Sequence, residues 1–126
     1  MGGGNTMALE SSITGSILDY LNGLPECRAE KLKGGSSASG RADINACYRG
    51  RSLRIEVKTP DHRNTTSRKQ EHNLEKWYRA GSAVMVVYSK EAVEVFLPNL
   101  KHKQGVYLTK AERNGCTSWA KIPSLK

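Results

Sequence analysis

The feature that most constrains this chain is a pair of strand-like segments joined by a glycine turn, in residues 39–58. Apolar and polar side chains alternate on both sides of Arg49-Gly50. A two-residue loop is the commonest connection between adjacent antiparallel strands. Moving the loop to Gly50-Arg51 would leave the same side chains on the same faces. The segment therefore predicts a β-hairpin.

The predicted hairpin separates its apolar and charged side chains, because side chains alternate along a strand and directly opposed residues share a face. The face expected to join the core collects Ala42, Ile44, Ala46, Leu53, Ile55 and Val57. The other face collects Asp43, Asn45, Arg54, Glu56 and Lys58. Asp43 and Glu56 lie opposite one another, and two opposed carboxylates destabilise a sheet unless a positive group lies between them. Mg²⁺ fits this position, since it binds oxygen ligands from one or two carboxylates.

Asp43 and the triplet Glu56-Val57-Lys58, thirteen residues further on, match the D…(D/E)-x-K signature of the PD-(D/E)XK nucleases. The chain resembles the VRR-NUC family of that superfamily, in its small stand-alone phage form. The other matching segments are residues 40–44, 48–51 and 55–60, Gln70 followed by Leu74, and Gly81 followed by 84–89. Together they cover roughly residues 8–97. The sequence departs from the family at Ala42, where the family has proline, and at Tyr88-Ser89, where it has arginines.

The resemblance implies an α/β domain with a restriction-endonuclease-like core, a mixed β-sheet flanked by helices. It also implies Mg²⁺-dependent hydrolysis of DNA phosphodiester bonds, with Mn²⁺ able to substitute. Asp43 and Glu56 are the expected metal ligands, and the resemblance adds the backbone carbonyl of Val57. Lys58 is expected to stabilise developing negative charge or to position the attacking water.

Two further residues are candidates for the catalytic site. Gln70 corresponds to an amide that the family uses near the site. Glu10 corresponds to a glutamate of the first helix that approaches the metal in the family. The macrodipole, which favours a glutamate at a helix start, explains Glu10 equally well.

The basic composition favours a polyanionic partner such as DNA, because the formal net charge is +8 and the pI is near 9.6. The residues expected to contact DNA are Arg41, Arg54, Arg63, Arg68 and Lys69. Arg63, Arg68 and Lys69 cluster at a predicted helix start, where positive charge does not stabilise a helix. Contact with phosphate therefore explains these three residues better than a solvated charged face does. The Gly/Ser loop at residues 34–40 either admits a DNA strand or is a simple connector.

The remaining pattern predicts alternating helices and strands. The expected elements are a helix over 8–22, a strand over 25–33, a helix from Thr66 or Ser67 to Ala80, a central strand at 83–88, a short helix from Ser89 to near Pro98, and a hairpin of 106–112 and 116–122. The hairpin is basic, and we expect it to lie beside DNA or at a subunit interface.

The length predicts one domain. We expect residues 1–7 to be a flexible leader or added residues, and 8–126 a single nuclease domain with its core at 8–97 and a basic C-terminal extension at 98–126. Cys27, Cys47 and Cys116 form no C-x-x-C pair, so the sequence supports neither a zinc site nor a disulfide framework and fits a reducing, cytoplasmic setting. The longest apolar run, residues 83–88, is too short to span a membrane.

The predicted function is cleavage of branched DNA such as a Holliday junction. The resemblance also implies a symmetric homo-oligomer, a dimer or larger, because cutting two strands requires two active sites related by a two-fold axis. An alternative is a non-catalytic basic nucleic-acid-binding module on the same fold. A third reading, a site-specific restriction enzyme, would need a target-reading region for which 126 residues leave little room.

Overall fold

The computed structural model describes residues 6–32, 42–60 and 67–125. Their helices and strands are α1 (Thr6–Asn22), β1 (Cys27–Lys31), β2 (Ile44–Tyr48), β3 (Arg51–Val57), α2 (Arg68–Arg79), β4 (Ala83–Val87), α3 (Lys90–Phe96), β5 (Val106–Ala111) and β6 (Thr117–Ile122). The predicted loop at 34–40, Arg41, Arg63 and Thr66 lie outside the described residues.

The six strands form one mixed sheet in the order β1-β2-β3-β4-β6-β5. Strands β3 and β4 run parallel, and the other neighbouring pairs are antiparallel. A parallel pair requires a crossover connection, which here contains α2. The predicted α/β class, a mixed sheet flanked by helices, is confirmed.

The β2–β3 hairpin has the predicted two-residue loop. Arg49 and Gly50 have φ angles of 50° and 82°, and two consecutive positive φ values are those of a type I′ turn, whose twist matches that of the strands. The register pairs Ile44 with Ile55 and Ala46 with Leu53, as predicted.

One face of the sheet packs against α1 and α3 and forms the main core. Its fully buried side chains include Ile17 and Leu21 of α1, Ile55 and Met85 of the sheet, and Phe96 of α3. Each such side chain contributes on the order of 1.5–3 kcal/mol by leaving water.

The opposite face packs against α2 in a smaller cluster of Leu74, Val84 and Val86. Ala42 belongs to this cluster, so its predicted place on the main core face is wrong. The chain bends at Asp43 before β2 begins, and the alternation of the strand does not extend back through that bend.

The ends of the helices follow the predicted capping residues. Ser67 is the N-cap of α2, and Gly81, with φ of 109°, follows the helix. Ser89 caps α3 through a hydrogen bond from the Ala92 N–H. The chain then continues through Pro98 in a 3₁₀ turn, Leu97–Lys101, because proline is tolerated in the first turn of a helix.

The start of α1 and the extent of the core differ from the expected bounds. Helix α1 begins at Thr6, earlier than expected, since no glycine or proline separates Thr6 from the apolar stripe. The terminal hairpin forms as predicted, but β6 pairs with β4, so residues 106–122 belong to the sheet and Ala120 and Ile122 belong to its core. In the described ranges no helix combines the length and the apolar character needed to cross a membrane.

Candidate active site

Two acidic side chains lie close together at the C-terminal end of the central strand β3. Glu56 belongs to β3, and Asp43 lies in the bend before β2. Asp43 accepts a 2.8 Å hydrogen bond at Oδ2 from the backbone N–H of Val57. That bond ties the Asp43 carboxylate to the residue that follows Glu56. The two predicted metal-binding carboxylates therefore lie beside the same short piece of β3.

Glu56 is a buried carboxylate with only 3% of its surface exposed. Its Oε2 accepts a 2.7 Å hydrogen bond from Nε2 of Gln70 and lies 3.6 Å from Nζ of Lys58. Its Oε1 is buried and makes no hydrogen bond within the described part of the chain. A buried acceptor without a partner costs on the order of 1–3 kcal/mol, so we expect a water molecule or a cation to contact this oxygen.

Gln70 joins the lysine to the glutamate. Its Oε1 accepts hydrogen bonds from Nζ of Lys58 and from the backbone N–H of Ser67, each at 3.2 Å. The hydroxyl of Ser67 in turn accepts from the Gln70 N–H at 3.2 Å. This reciprocal pair is a capping box. The first turn of α2 thus fixes the amide that holds both reactive side chains.

The electrostatics of the site favour a cation. Burial, and next the neighbouring Asp43 carboxylate, raise the pKa of Glu56 to about 8, although Lys58 opposes the rise. Glu10 of α1 adds a smaller effect in the same direction. The ammonium of Lys58 alone therefore does not neutralise the acidic groups gathered here.

The donor set fits a hard divalent cation. Asp43 and Glu56 supply carboxylate oxygens, one of them buried and unsatisfied, and Mg²⁺ binds in proteins through one or two carboxylates with water completing its shell. Across the described ranges, no three His, Cys, Asp or Glu side chains are grouped to hold a metal ion. The role of Glu10 as a metal ligand stays a prediction.

The predicted DNA-contacting residues occupy different environments. The guanidinium of Arg54 lies 3.8 Å from the ring centre of Trp77 and donates to the Ser52 hydroxyl at 3.1 Å. Arg68 and Lys69 are exposed on the first turn of α2, next to Gln70. Their contact with DNA stays a prediction.

The sequence analysis identified Ser67 and Gln70 separately but missed their link. The signal was present as Ser67 followed three residues later by glutamine, which is the capping-box pattern. Such a pattern predicts the helix start but gives no information about the strand that the helix covers.

No family model and no curated protein matches the sequence. A solved structure described as "VRR_NUC domain" is similar to the chain, with a TM-score of 0.58 and 22% sequence identity. The similarity covers 71% of this chain and 95% of that one. The chain therefore has the fold of a VRR_NUC domain, and the resemblance drawn from the motifs is confirmed at the level of the fold.

Proposed function

We propose that this protein is a Mg²⁺-dependent nuclease that hydrolyses DNA phosphodiester bonds at the Asp43–Glu56 edge of the sheet. The observation that carries this proposal is the buried, unpartnered Oε1 of Glu56 beside a second carboxylate. Such a pair is stabilised by a cation, and the resemblance to the VRR-NUC family implies a metal-dependent reaction. The likeness to a VRR_NUC domain supports the same assignment.

Asp43, Glu56 and the backbone carbonyl of Val57 would hold the ion, and Mn²⁺, which has similar ligand preferences, would substitute for Mg²⁺. When bound, the ion supplies Lewis-acid chemistry and lowers the pKa of a coordinated water. Glu10 strengthens the attraction for a cation by adding negative charge near Glu56.

Lys58 would stabilise the negative charge that develops on the phosphate during hydrolysis. Its side chain is only 15% exposed, and Gln70 and Glu56 hold its ammonium by contacts of 3.2 Å and 3.6 Å. A preorganised charge of this kind stabilises a transition state without reorganisation, and its removal typically costs on the order of a hundredfold in rate. Gln70 acts as a positioning residue, because its amide orients both Lys58 and Glu56.

The proposed substrate is branched DNA, such as a Holliday junction, cut by a symmetric homo-oligomer. The net charge of +8 supports a polyanionic substrate. Arg68 and Lys69 would bind phosphates, since both are exposed on the turn of α2 that contains Gln70. Two copies related by a two-fold axis would present two sites to the two strands of a junction.

The test compares four-way junction, flap, single-stranded and duplex DNA, each with Mg²⁺, Mn²⁺ or chelator. We expect cleavage of a branched substrate with either metal and none with chelator. Glu56→Gln and Lys58→Ala should abolish cleavage while DNA binding, measured by fluorescence anisotropy, persists. Glu94→Gln is the matched control, because it removes a carboxylate of α3 that is paired with Lys90 rather than placed at the site.

Two results would redirect the proposal. DNA binding without metal-dependent cleavage of any substrate would identify a non-catalytic nucleic-acid-binding module. Cleavage at one duplex sequence, with no preference for branches, would identify a site-specific restriction enzyme.

A further inference from the structure

A groove of about 300 Å³ lies on the same face of the sheet as Glu56, between α2 and the β5–β6 hairpin. Leu74 of α2 and Val84 of β4 contribute its apolar lining. Tyr107 and Trp119 of the hairpin contribute aromatic rings. The groove is separate from the contacts of Gln70 and Lys58 described above.

The two rings of the groove form a stacked pair. Their centroids are 6.0 Å apart and their planes differ by 17°. Trp119 is partly buried against the apolar cluster under α2, whereas Tyr107 is 60% exposed. A flat ring that is supported from below and open above is the kind of surface on which a nucleobase stacks.

The groove is close to the proposed site of cleavage. Glu56 pairs with Val86 on β4, and Val86 pairs with Trp119 on β6, so the three residues form one row across the sheet. Two strand spacings separate Glu56 from Trp119, which is about 10 Å. Tyr107 lies on β5, one strand beyond Trp119, so its strand is about 15 Å from β3. About four nucleotides of a stacked strand span this distance at about 3.4 Å each.

The charges of the groove favour a base over a phosphate. Glu71 and Glu75 line it together with one cation, Lys121. The Lys121 ammonium is already engaged, 3.2 Å from Oε1 of Glu75 and 4.3 Å from the ring centre of Tyr78. Both oxygens of Glu75 are engaged, because its Oε2 also lies 2.9 Å from Nε of Arg79. The Glu71 carboxylate would repel a phosphate, whereas it can accept a hydrogen bond from the exocyclic amine of a base.

We propose that this groove receives one unpaired, amine-bearing base of the DNA strand that is cut at Glu56. The base stacks on Tyr107, and its amine donates to Glu71. This inference rests on the proposed nuclease function and specifies its substrate: DNA with a single-stranded segment within a few nucleotides of the cut. Cytosine, adenine and guanine fit the groove, and thymine, which lacks an exocyclic amine, fits it less well.

The experiment places 2-aminopurine at successive positions of the single-stranded arm of a flap substrate. This amine-bearing base loses fluorescence when it stacks. Glu56→Gln protein with Mg²⁺ keeps the DNA uncut. We expect quenching at one position within about four nucleotides of the cut, which cleavage of the same flap by the wild type maps, in line with the distance between Tyr107 and Glu56.

Variants of Tyr107 test the stacking directly. Tyr107→Ala should abolish the quenching and weaken binding of the arm roughly tenfold, as expected for the loss of one stacked base. Tyr107→Phe should retain both, because it keeps the ring. Tyr107 is mostly exposed, so its removal should leave the melting temperature unchanged, and Val95→Ala, at an exposed residue of α3, is the matched control.

Four results would overturn the inference. These are the absence of quenching at every position, quenching that survives Tyr107→Ala, an arm of thymidines that binds as tightly as one of cytidines, and a change of oligomeric state in Tyr107→Ala. The last would assign the groove to a second copy of this chain. Cleavage by the wild type is measured separately. A protein that quenches 2-aminopurine fluorescence but does not cleave DNA would contradict the nuclease proposal and support the base-binding groove.

Discussion

The side-chain amide of Gln70 donates a 2.7 Å hydrogen bond to Oε2 of Glu56. The same amide accepts from the backbone N–H of Ser67 through its oxygen, and so completes the capping box of α2. The start of a helix and the orientation of a buried acid are thus coupled through one side chain. Substitutions at the cap should therefore change activity as well as stability.

Gln70→Ala removes the donor to Glu56 and the acceptor for Lys58 in a single step. We expect the rate of DNA cleavage to fall on the order of a hundredfold, as for other losses of a preorganised polar group. The free energy of unfolding should fall by about 1–3 kcal/mol, because the buried glutamate loses its one hydrogen-bond donor at 2.7 Å and keeps only the 3.6 Å contact with Lys58. Single-turnover cleavage and urea denaturation measure the two effects.

Ser67→Ala is the matched comparison, since it removes the cap hydroxyl and leaves the Gln70 amide in place. Loss of an N-cap costs about 1 kcal/mol of stability. The cleavage rate should fall less than in Gln70→Ala. Equal losses of rate in the two variants would show that the cap, and not the amide, controls the site.

The raised pKa of Glu56 predicts how stability depends on pH without metal. The pKa is about 8 in the folded protein and 4.5 for an unperturbed glutamate. Between these values the folded state binds more protons than the unfolded state, so the free energy of unfolding falls as pH rises through this window. We expect a loss of a few kcal/mol between pH 5 and pH 8, measured by urea denaturation in chelator.

Glu56→Gln removes this titration and serves as the test of its origin. The variant should lose most of the pH dependence and should be more stable than the wild type at pH 8 in chelator. Glu94→Gln should keep the wild-type slope. A slope that persists in Glu56→Gln would assign the effect to another group.

The same proton competes with the proposed metal. Because the carboxylate must lose its proton to bind a cation, the apparent affinity for Mg²⁺ should rise with pH up to about 8, by as much as tenfold per unit. Saturating Mg²⁺ should therefore raise the melting temperature more at pH 8 than at pH 6. Calorimetric titration measures the affinity for Mg²⁺, and thermal melts measure the rise in melting temperature. Both are done in the absence of DNA, so neither result depends on cleavage.

Asp43→Asn and Glu56→Gln should both abolish the stabilisation by Mg²⁺. A rise in melting temperature that is the same in the wild type and in both variants would place the metal elsewhere. Glu10→Gln should weaken the binding only modestly if Glu10 acts through its charge, and strongly if it is a ligand.

Local patterns predicted much of this fold. The β2–β3 hairpin follows from alternation and a two-residue turn, and both caps, Ser67 and Ser89, follow from residue type. These features depend on residues that are close in sequence. The signature at Asp43, Glu56 and Lys58 was likewise enough to predict that the three side chains converge.

The rest depends on contacts between distant segments. Nothing near Trp119 specifies that β6 pairs with β4, and this pairing places the aromatic groove in the same row as Glu56. Ala42 was assigned to the wrong face because a bend, which leaves no mark in the apolar pattern, interrupts the alternation at Asp43. Register between strands that are far apart in sequence is set by packing, which a local pattern does not contain.

Arg68 and Arg54 should differ in their response to substitution. Arg68 is exposed on the first turn of α2, so Arg68→Ala should weaken DNA binding and leave stability unchanged. If it contacts one phosphate, the slope of log affinity against log salt should decrease by about 0.9. Arg28→Ala, at an exposed residue of β1, is the control for lost net charge and should change the slope less.

Arg54 is held inside the fold by Trp77 and Ser52. Arg54→Ala should lower the free energy of unfolding by about 1–2 kcal/mol, because a partly desolvated cation–π contact and a hydrogen bond are lost. Arg54→Lys should recover only part of this, since an ammonium does not stack as a planar guanidinium does. Anisotropy at several salt concentrations and urea denaturation separate the two arginines. A salt slope that falls in Arg54→Ala, with stability unchanged, would instead assign Arg54 to DNA contact.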